Sequence, residues 1–266
     1  MRTRSSAAAI AVVAVLLSGC ATADPQLPPA GGSPDYQLGG AYEPAPEVDI
    51  VGRDRSAEPA DVYSICYVNG FQTQPGELDD WPAVLLLRSP DGTVVMDPDW
   101  PDEALLDTSS ATRRDAIVSV VQPWIEGCAD AGFEAVEFDN LDTYARSGGA
   151  LELDANLLLA SRFVEIAHAQ GLAAGQKNAA EDSRALRDRA HFDFAVVEEC
   201  AAFRECDTYA AVYGEHVIDI EYTDATDRPF TEVCADPSTP ASTVLRDRQL
   251  TTPSSPDHVF EVCGAP

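Results

Sequence analysis

The feature that most constrains this chain is an alternation. Short β-like runs, each closing on polar or ionisable residues, are separated by longer stretches with helical periodicity. The runs read as strands are EVDIVG (47–52), VYSICYV (62–68), EAVEFD (134–139), LAAGQK (172–177), FDFAVVE (192–198), HVIDIE (216–221) and STVLR (242–246), with DYQL (35–38) as an eighth. Between them, residues 112–131 place Ile117, Val120, Val121, Trp124, Ile125 and Cys128 at three- and four-residue spacing, and Pro123 is expected to kink that helix. A second helix over 154–170 opens on Asp154 as its cap and is followed by Gly171, a C-terminal stop; 181–190 and 204–214 supply two more. Strands that alternate with helices pair in parallel, and eight of them in about 230 residues predict an α/β fold, a (β/α)8 TIM-like barrel. The segment 69–111 has no such regularity and is expected to be an elaborated loop over one barrel face. No GxGxxG or GxxxxGK[ST] stretch marks a nucleotide site.

The strand ends carry the chemistry. Asp54 follows one run, Tyr67 and Asn69 close the next, and Asp139-Asn140, Lys177-Asn178, Glu198-Glu199 and Glu221-Tyr222 end four others. Carboxylates repel one another and resist burial, so their recurrence just past apolar runs asks for a reason. In a parallel barrel those ends share one face, the face on which barrel active sites are built. A set of solvated turns is the plainer alternative.

Outside the barrel, the first residues are MRTRSSAAAIAVVAVLLSGC. Arg2 and Arg4 precede an apolar stretch from Ala7 to Leu17 that is too short for a stable membrane span, the pattern of a signal peptide over 1–19. Leu17-Ser18-Gly19-Cys20 looks like a bacterial lipobox, which makes Cys20 the expected lipidation site and lipid the only membrane attachment. Residues 20–34, rich in Pro, Gly and Ala, read as a tether, and 35–266 as the folded domain. The expected location is therefore the extracytoplasmic side of the cell membrane.

With Cys20 set aside, six cysteines remain: Cys66, Cys128, Cys200, Cys206, Cys234 and Cys263. An even number in an exported chain points to three disulfides. Sequence alone leaves the connectivity open, with Cys200–Cys206 a plausible local loop, Cys234–Cys263 a plausible clasp and Cys66–Cys128 the remainder. No CxxC spacing and only four scattered histidines speak against a zinc site. The formal net charge of −28, which becomes −30 without the two arginines of residues 1–19, excludes binding of nucleic acid or an anionic surface through charge and favours cations. Solubility or halotolerance would also account for it.

Six segments in order, YQLGGAY, ICYVNG, GCADAGFEAVEFDNLDTY, AHAQGLAAGQKN, FDFAVVEECAAFRECDTY and VIDIEY, resemble glycoside hydrolase family 114, the endo-α-1,4-polygalactosaminidases and their bacterial relatives. The resemblance covers nearly all of 35–250. It implies a TIM-like barrel and hydrolysis of α-1,4-linked galactosamine in extracellular amino-sugar polymers, with Asp139 and Glu198 as the catalytic carboxylates. A departure is Val197-Glu198-Glu199-Cys200, where the family commonly has Asn and then Glu-Gln-Cys.

The chemistry supports such a pair, since glycoside cleavage needs one acid to protonate the leaving oxygen and one carboxylate at the anomeric carbon. The apolar run before Glu198 is expected to raise its pKa and make it the acid, leaving Asp139 ionised. Lys177 is expected to hold a sugar hydroxyl or pair with Asp139, and Asp54 and Glu221 to bind ammonium groups. Asn140, Asp142 and Asn178 are further substrate-binding candidates, although Asp142 also suits a turn cap. Of the aromatics Tyr67, Tyr144, Tyr222, Trp81 and Trp100, the strand-end residues Tyr67 and Tyr222 are the expected sugar contacts. Glu137 shares strand parity with Asp139 and so faces inward, as support or as a neighbour of a lysine. None of His168, His191, His216 and His258 has a Ser or Cys partner in a nucleophile-elbow setting. No metal or organic cofactor is expected, and the protein is expected to act as a monomer. A non-catalytic carbohydrate-binding barrel and a glycosidase of other specificity are the alternatives.

Overall fold

The computed structural model describes residues 25–264. The expected signal peptide over 1–19 and Cys20 lie outside them. The strands are β1 (Pro34–Tyr36), β2 (Ile50–Asp54), β3 (Tyr63–Asn69), β4 (Ala135–Asp139), β5 (Ala173–Lys177), β6 (Phe194–Glu198), β7 (Val217–Tyr222), β8 (Ser242–Arg246) and β9 (Phe260–Val262). The first eight run parallel in chain order, and β9 adds antiparallel to β8. This is the expected TIM-like barrel, nearly closed and extended by a ninth strand. Arg246 spans the seam: from β8 it donates to Asp35 Oδ1 of β1 at 2.6 Å and to the Tyr36 carbonyl. A fully buried guanidinium is tolerable there because Val259 O and Thr251 O take two more of its donors, leaving only one of the five without a named partner.

Alternation along each strand sorts side chains to two sides. Ile50, Ile65, Ala135, Phe194, Val196, Ile218, Ile220 and Val244 fill the barrel interior. Cys66, Val68, Val136, Phe138, Ala174 and Val197 face the helical layer. Burial on both faces is why stretches such as FAVV of β6 and ICYV of β3 read as nearly unbroken apolar runs.

The helices are α1 (Ala111–Ala131), α2 (Thr143–Arg146), α3 (Leu153–Ala169), α4 (Ser183–Ala185), α5 (Cys200–Phe203), α6 (Cys206–Tyr213) and α7 (Phe230–Ala235). Ser110 caps α1 by accepting from the Arg113 N–H, and Gly132 ends it at φ 101°, where a Cβ would be strained. Pro123 does not break α1; it sits on the exposed face, where the carbonyl it leaves unpaired can meet water. Asp154 is no cap: α3 begins at Leu153 after Glu152, and Asp154 instead pairs with Arg189 at 2.8 Å. The helix expected over 181–190 is a 3-10 turn, a single α turn and the π-helical turn Leu186–Ala190.

Three disulfides join Cys66 to Cys128, Cys200 to Cys206 and Cys234 to Cys263. The first ties β3 to α1 across 62 positions. Within the stretch read as a tether over 20–34, residues 25–33 lie against the N-terminal end of the barrel and Pro34 opens β1. Tyr63 donates its hydroxyl to Gln26 O at 2.6 Å, and His216 Nδ1 lies 3.1 Å from Pro28 O. Among the described residues, no helix is long and apolar enough to cross a membrane.

Candidate active site

At the C-terminal ends of the strands a cleft of about 510 Å³ opens, floored by strand-end side chains and walled on one side by the segment between β3 and α1. That segment, expected as a loop, is held by short antiparallel bridges and its own buried leucines, Leu85, Leu86, Leu87, Leu105 and Leu106. It brings Asp97, Asp99, Trp100 and Glu103 to the cleft.

Three successive strands end in the same way. Asn140, Asn178 and Glu199, the residues just after Asp139, Lys177 and Glu198, have φ of 62°, 47° and 61°. This left-handed turn swings the backbone off the rim and leaves the preceding side chain pointing into the opening. Asn adopts it at low cost, whereas Glu199 pays for it. Glu199 N donates to Ile220 O at 2.8 Å and its side chain binds Arg248 at 2.6 Å, which hold the turn.

Lys177 is the hub. Its Nζ lies 3.4 Å from Glu198 Oε2, 3.4 Å from Glu137 Oε1 and 3.8 Å from Asp139 Oδ2, and it donates to Tyr36 Oη at 3.1 Å. Burial works against its charge, but Asp139, Glu198 and Glu137 outweigh burial and hold the ammonium well above the usual lysine range. Asp139 accepts from Tyr67 Oη at 2.8 Å and from the Asn140 N–H at 2.7 Å. Glu198 accepts from Tyr222 Oη on one oxygen and from Asn178 Nδ2 at 3.0 Å on the other.

The expectation that apolar neighbours raise the Glu198 pKa is corrected by this geometry. Burial does push it up, but Lys177, Tyr222 and Asn178 more than offset that and leave it lowered, because all three stabilise the carboxylate. Both carboxylates share one ammonium, so their nearest oxygens are no more than about 7 Å apart, the two N···O distances laid end to end. Glu137 is fully buried, and burial raises its pKa to about 7 despite Lys177 and the Tyr36 hydroxyl 2.6 Å away.

Of the residues singled out in the sequence, Asp54, Tyr67, Asp139, Asn140, Asp142, Lys177, Asn178, Glu198 and Tyr222 all line this one cleft. Asp142 and Asn140 are held by Arg146, at 2.8 and 2.9 Å. Glu221 does not belong. On β7 it has the parity opposite to Ile220 and Tyr222, so it turns outward, is fully buried, and accepts from the Ala201 and Ala202 N–H groups at 2.8 and 3.3 Å at the start of α5. Trp81 is core, while Tyr144 donates to Asp182 at 2.7 Å.

Sequence reasoning missed Tyr36 as part of the site. It enters from β1 because Gly52, its register neighbour on β2, leaves room; a Cβ there would come within 2.6 Å of the Tyr36 ring. It also missed Glu103 in the segment before α1, Arg146 on the short α2 and Arg248 just after β8, none of which closes a strand. Among the described residues, the cluster closest to a metal-ligand arrangement is Cys200, Cys206 and Asp219, but both sulfurs are spent on a disulfide outside the barrel.

A family model, described as glycoside-hydrolase family GH114, matches residues 17–266. Among solved structures, Ega3 of Aspergillus fumigatus in complex with galactosamine aligns with a TM-score of 0.71 at 22% identity, over 92% of this chain and 100% of that one. The glycoside hydrolase domain of PelA from Pseudomonas aeruginosa aligns with a TM-score of 0.59 at 14% identity, over 86% and 98% of the two chains. At these identities the likeness is one of fold. No curated protein sequence matches the chain.

Proposed function

The chain belongs to glycoside-hydrolase family GH114, and on that premise we propose that it hydrolyses an α-1,4-linked, galactosamine-containing polysaccharide with Asp139 and Glu198 as its two carboxylates. The observation that carries this reading is the shared ammonium of Lys177, which holds both acids at one opening. Glu198, kept ionised by Lys177, Tyr222 and Asn178, acts at the anomeric carbon. Asp139 lies farther from the cation, at 3.8 Å against 3.4 Å for Glu198, and it is the member that delivers the proton to the leaving oxygen. This reverses the division of roles expected from sequence. A separation of at most about 7 Å between nearest oxygens spans the roughly 5–5.5 Å of retaining enzymes and touches only the lower edge of the inverting range, which supports retention of the α-configuration.

A cationic substrate fits the walls. Arg146 is committed to Asp97 and Asp142, and Arg248 to Glu199 and Asp224. Asp54, Asp99 and Glu103 line the cleft without a basic partner among the described residues. Such carboxylates attract free amines along a sugar chain, and of the two fold relatives one is a complex with galactosamine and the other a glycoside hydrolase domain. Trp100, 54% exposed at the rim, offers a face for a sugar ring.

The same reading places the protein outside the cell membrane as a monomer, with Cys20 acylated after removal of 1–19 and the polysaccharide as its partner. Residues 25–33 sit on the barrel end opposite the cleft, so an anchor upstream of them leaves the opening turned away from the lipid. Incubating the domain with de-N-acetylated and acetylated galactosamine polymers tests the function. The expected result is release of oligomers from the free-amine polymer first, with α reducing ends by early-time NMR. Binding without product would instead support a carbohydrate-binding barrel.

A further inference from the structure

Glu137 is buried, ionisable and two positions before Asp139 on the inward face of β4, yet nothing in the cleavage chemistry needs it. It has no exposed surface, and a substrate in the cleft would meet Asp139, Lys177 and Glu198 first. Its Oε1 accepts from Tyr36 and lies 3.4 Å from Lys177, while Oε2 has no hydrogen-bond partner. A site needing only two acids and a lysine to orient them would be served by an apolar residue at this depth, because an uncompensated buried carboxyl is expensive.

We infer that Glu137 is a positioning residue: its carboxylate claims part of the Lys177 ammonium and so keeps that cation from stripping the proton off the acid member of the Asp139–Glu198 pair. The inference rests on the assignment of that pair. Nζ is equally far from Glu137 and Glu198, so Glu137 is a full competitor for its charge. With Glu137 ionised the ammonium is balanced from below, and one carboxyl above it can hold a proton at neutral pH. With Glu137 neutral, the whole positive charge bears on the pair and favours loss of that proton.

The groups that face Glu137 are Tyr36 from β1, Tyr67 beside it on β3, Asp139 on its own strand, Lys177 from β5 and Glu198 from β6. Gly175, its register partner on β5, brings no charge. Tyr36 and Tyr67 are both pushed well above the ordinary tyrosine range by burial and then by carboxylates, so they stay neutral donors. Lys177 stays charged. Glu137 itself changes charge near neutral pH, because burial raises its pKa to about 7.

The test is a 13C NMR titration of the side-chain carboxyl carbons of Asp139 and Glu198 in wild type, in Glu137→Gln and in Tyr36→Phe, with kcat/KM measured against pH on the galactosamine polymer alongside. Gln keeps the acceptor for Tyr36 and removes the charge; Phe removes the hydroxyl that favours the Glu137 anion. Both variants are expected to move the pair's upper midpoint, and the alkaline limb of the rate, to lower pH, by about one unit for Glu137→Gln. An unmoved upper midpoint in both variants overturns the inference even if the wild type is active, and a rate lowered equally at every pH assigns Glu137 a packing role. If the wild type cleaves no polymer, the functional reading fails, while the titration still decides whether Glu137 controls the pair.

Discussion

Lys177 carries the argument at the scale of the residue. It is 2% exposed and touches every acid the chemistry uses. Lys177→Met should lower kcat/KM about 100-fold or more and move the alkaline limb to higher pH, because three carboxylates are then left without a cation and each holds its proton longer. That is opposite in sign to the shift expected of Glu137→Gln, so paired pH profiles of the two variants check both. The strand-end acids, Lys177 and the two tyrosines were legible in the sequence, since a strand's last residue must emerge at the rim whatever its neighbours. Glu221 was misread because its fate depends on parity. One position separates a side chain that enters the barrel from one that meets a helix; the alternation Ile218-Asp219-Ile220-Glu221-Tyr222 sets Glu221 with Asp219 on the outer face, and strand-end position alone hid that signal.

At the scale of the element, the strands were more legible than the helices. A β8 of 242–246 came directly from its Val, Leu and Thr content, and α1 from its spacing. The stretch after β5 was read as one helix but folds as three short turns, because Ala179 at φ 61° and His191 at φ 66° fix both of its ends. Glycines inside strands are where the barrel is tightest. A Cβ on Gly175 would lie 2.6 Å from the Phe194 ring, so Gly175→Ala should cost about 1–3 kcal/mol in urea unfolding without altering the cleft acids directly. The Cys66–Cys128 bridge closes a long loop across two layers, and Cys66→Ala with Cys128→Ala should cost roughly 4 kcal/mol by the chain-entropy estimate. A reducing agent should lower the melting temperature of the wild type and leave that of the double variant closer to unchanged.

At the scale of the whole molecule, acidity and burial together set the response to pH. Glu137 and Glu103 both have pKa values raised to about 7, first by burial. Each binds more proton in the folded than in the unfolded chain between about pH 4.5 and 7, so stability falls as pH rises through that window. Asp97 and Glu198 are lowered, and their contribution is present above the ordinary carboxylate range and lost only as pH drops below it. With a net charge of −28, self-repulsion adds to the loss on the alkaline side. The melting temperature is therefore expected to be higher near pH 5 than at pH 8; a maximum at or above pH 8 would contradict the burial of those two glutamates.

The measurement closest to the central claim is reducing-end release from de-N-acetylated galactosamine polymer by wild type, Asp139→Asn and Glu198→Gln, with far-UV circular dichroism to show that all three fold. Each substitution is expected to lower kcat by at least about 100-fold with the fold intact. Near-wild-type turnover by either variant would mean that the two strand-end acids beside Lys177 are not the cutting pair.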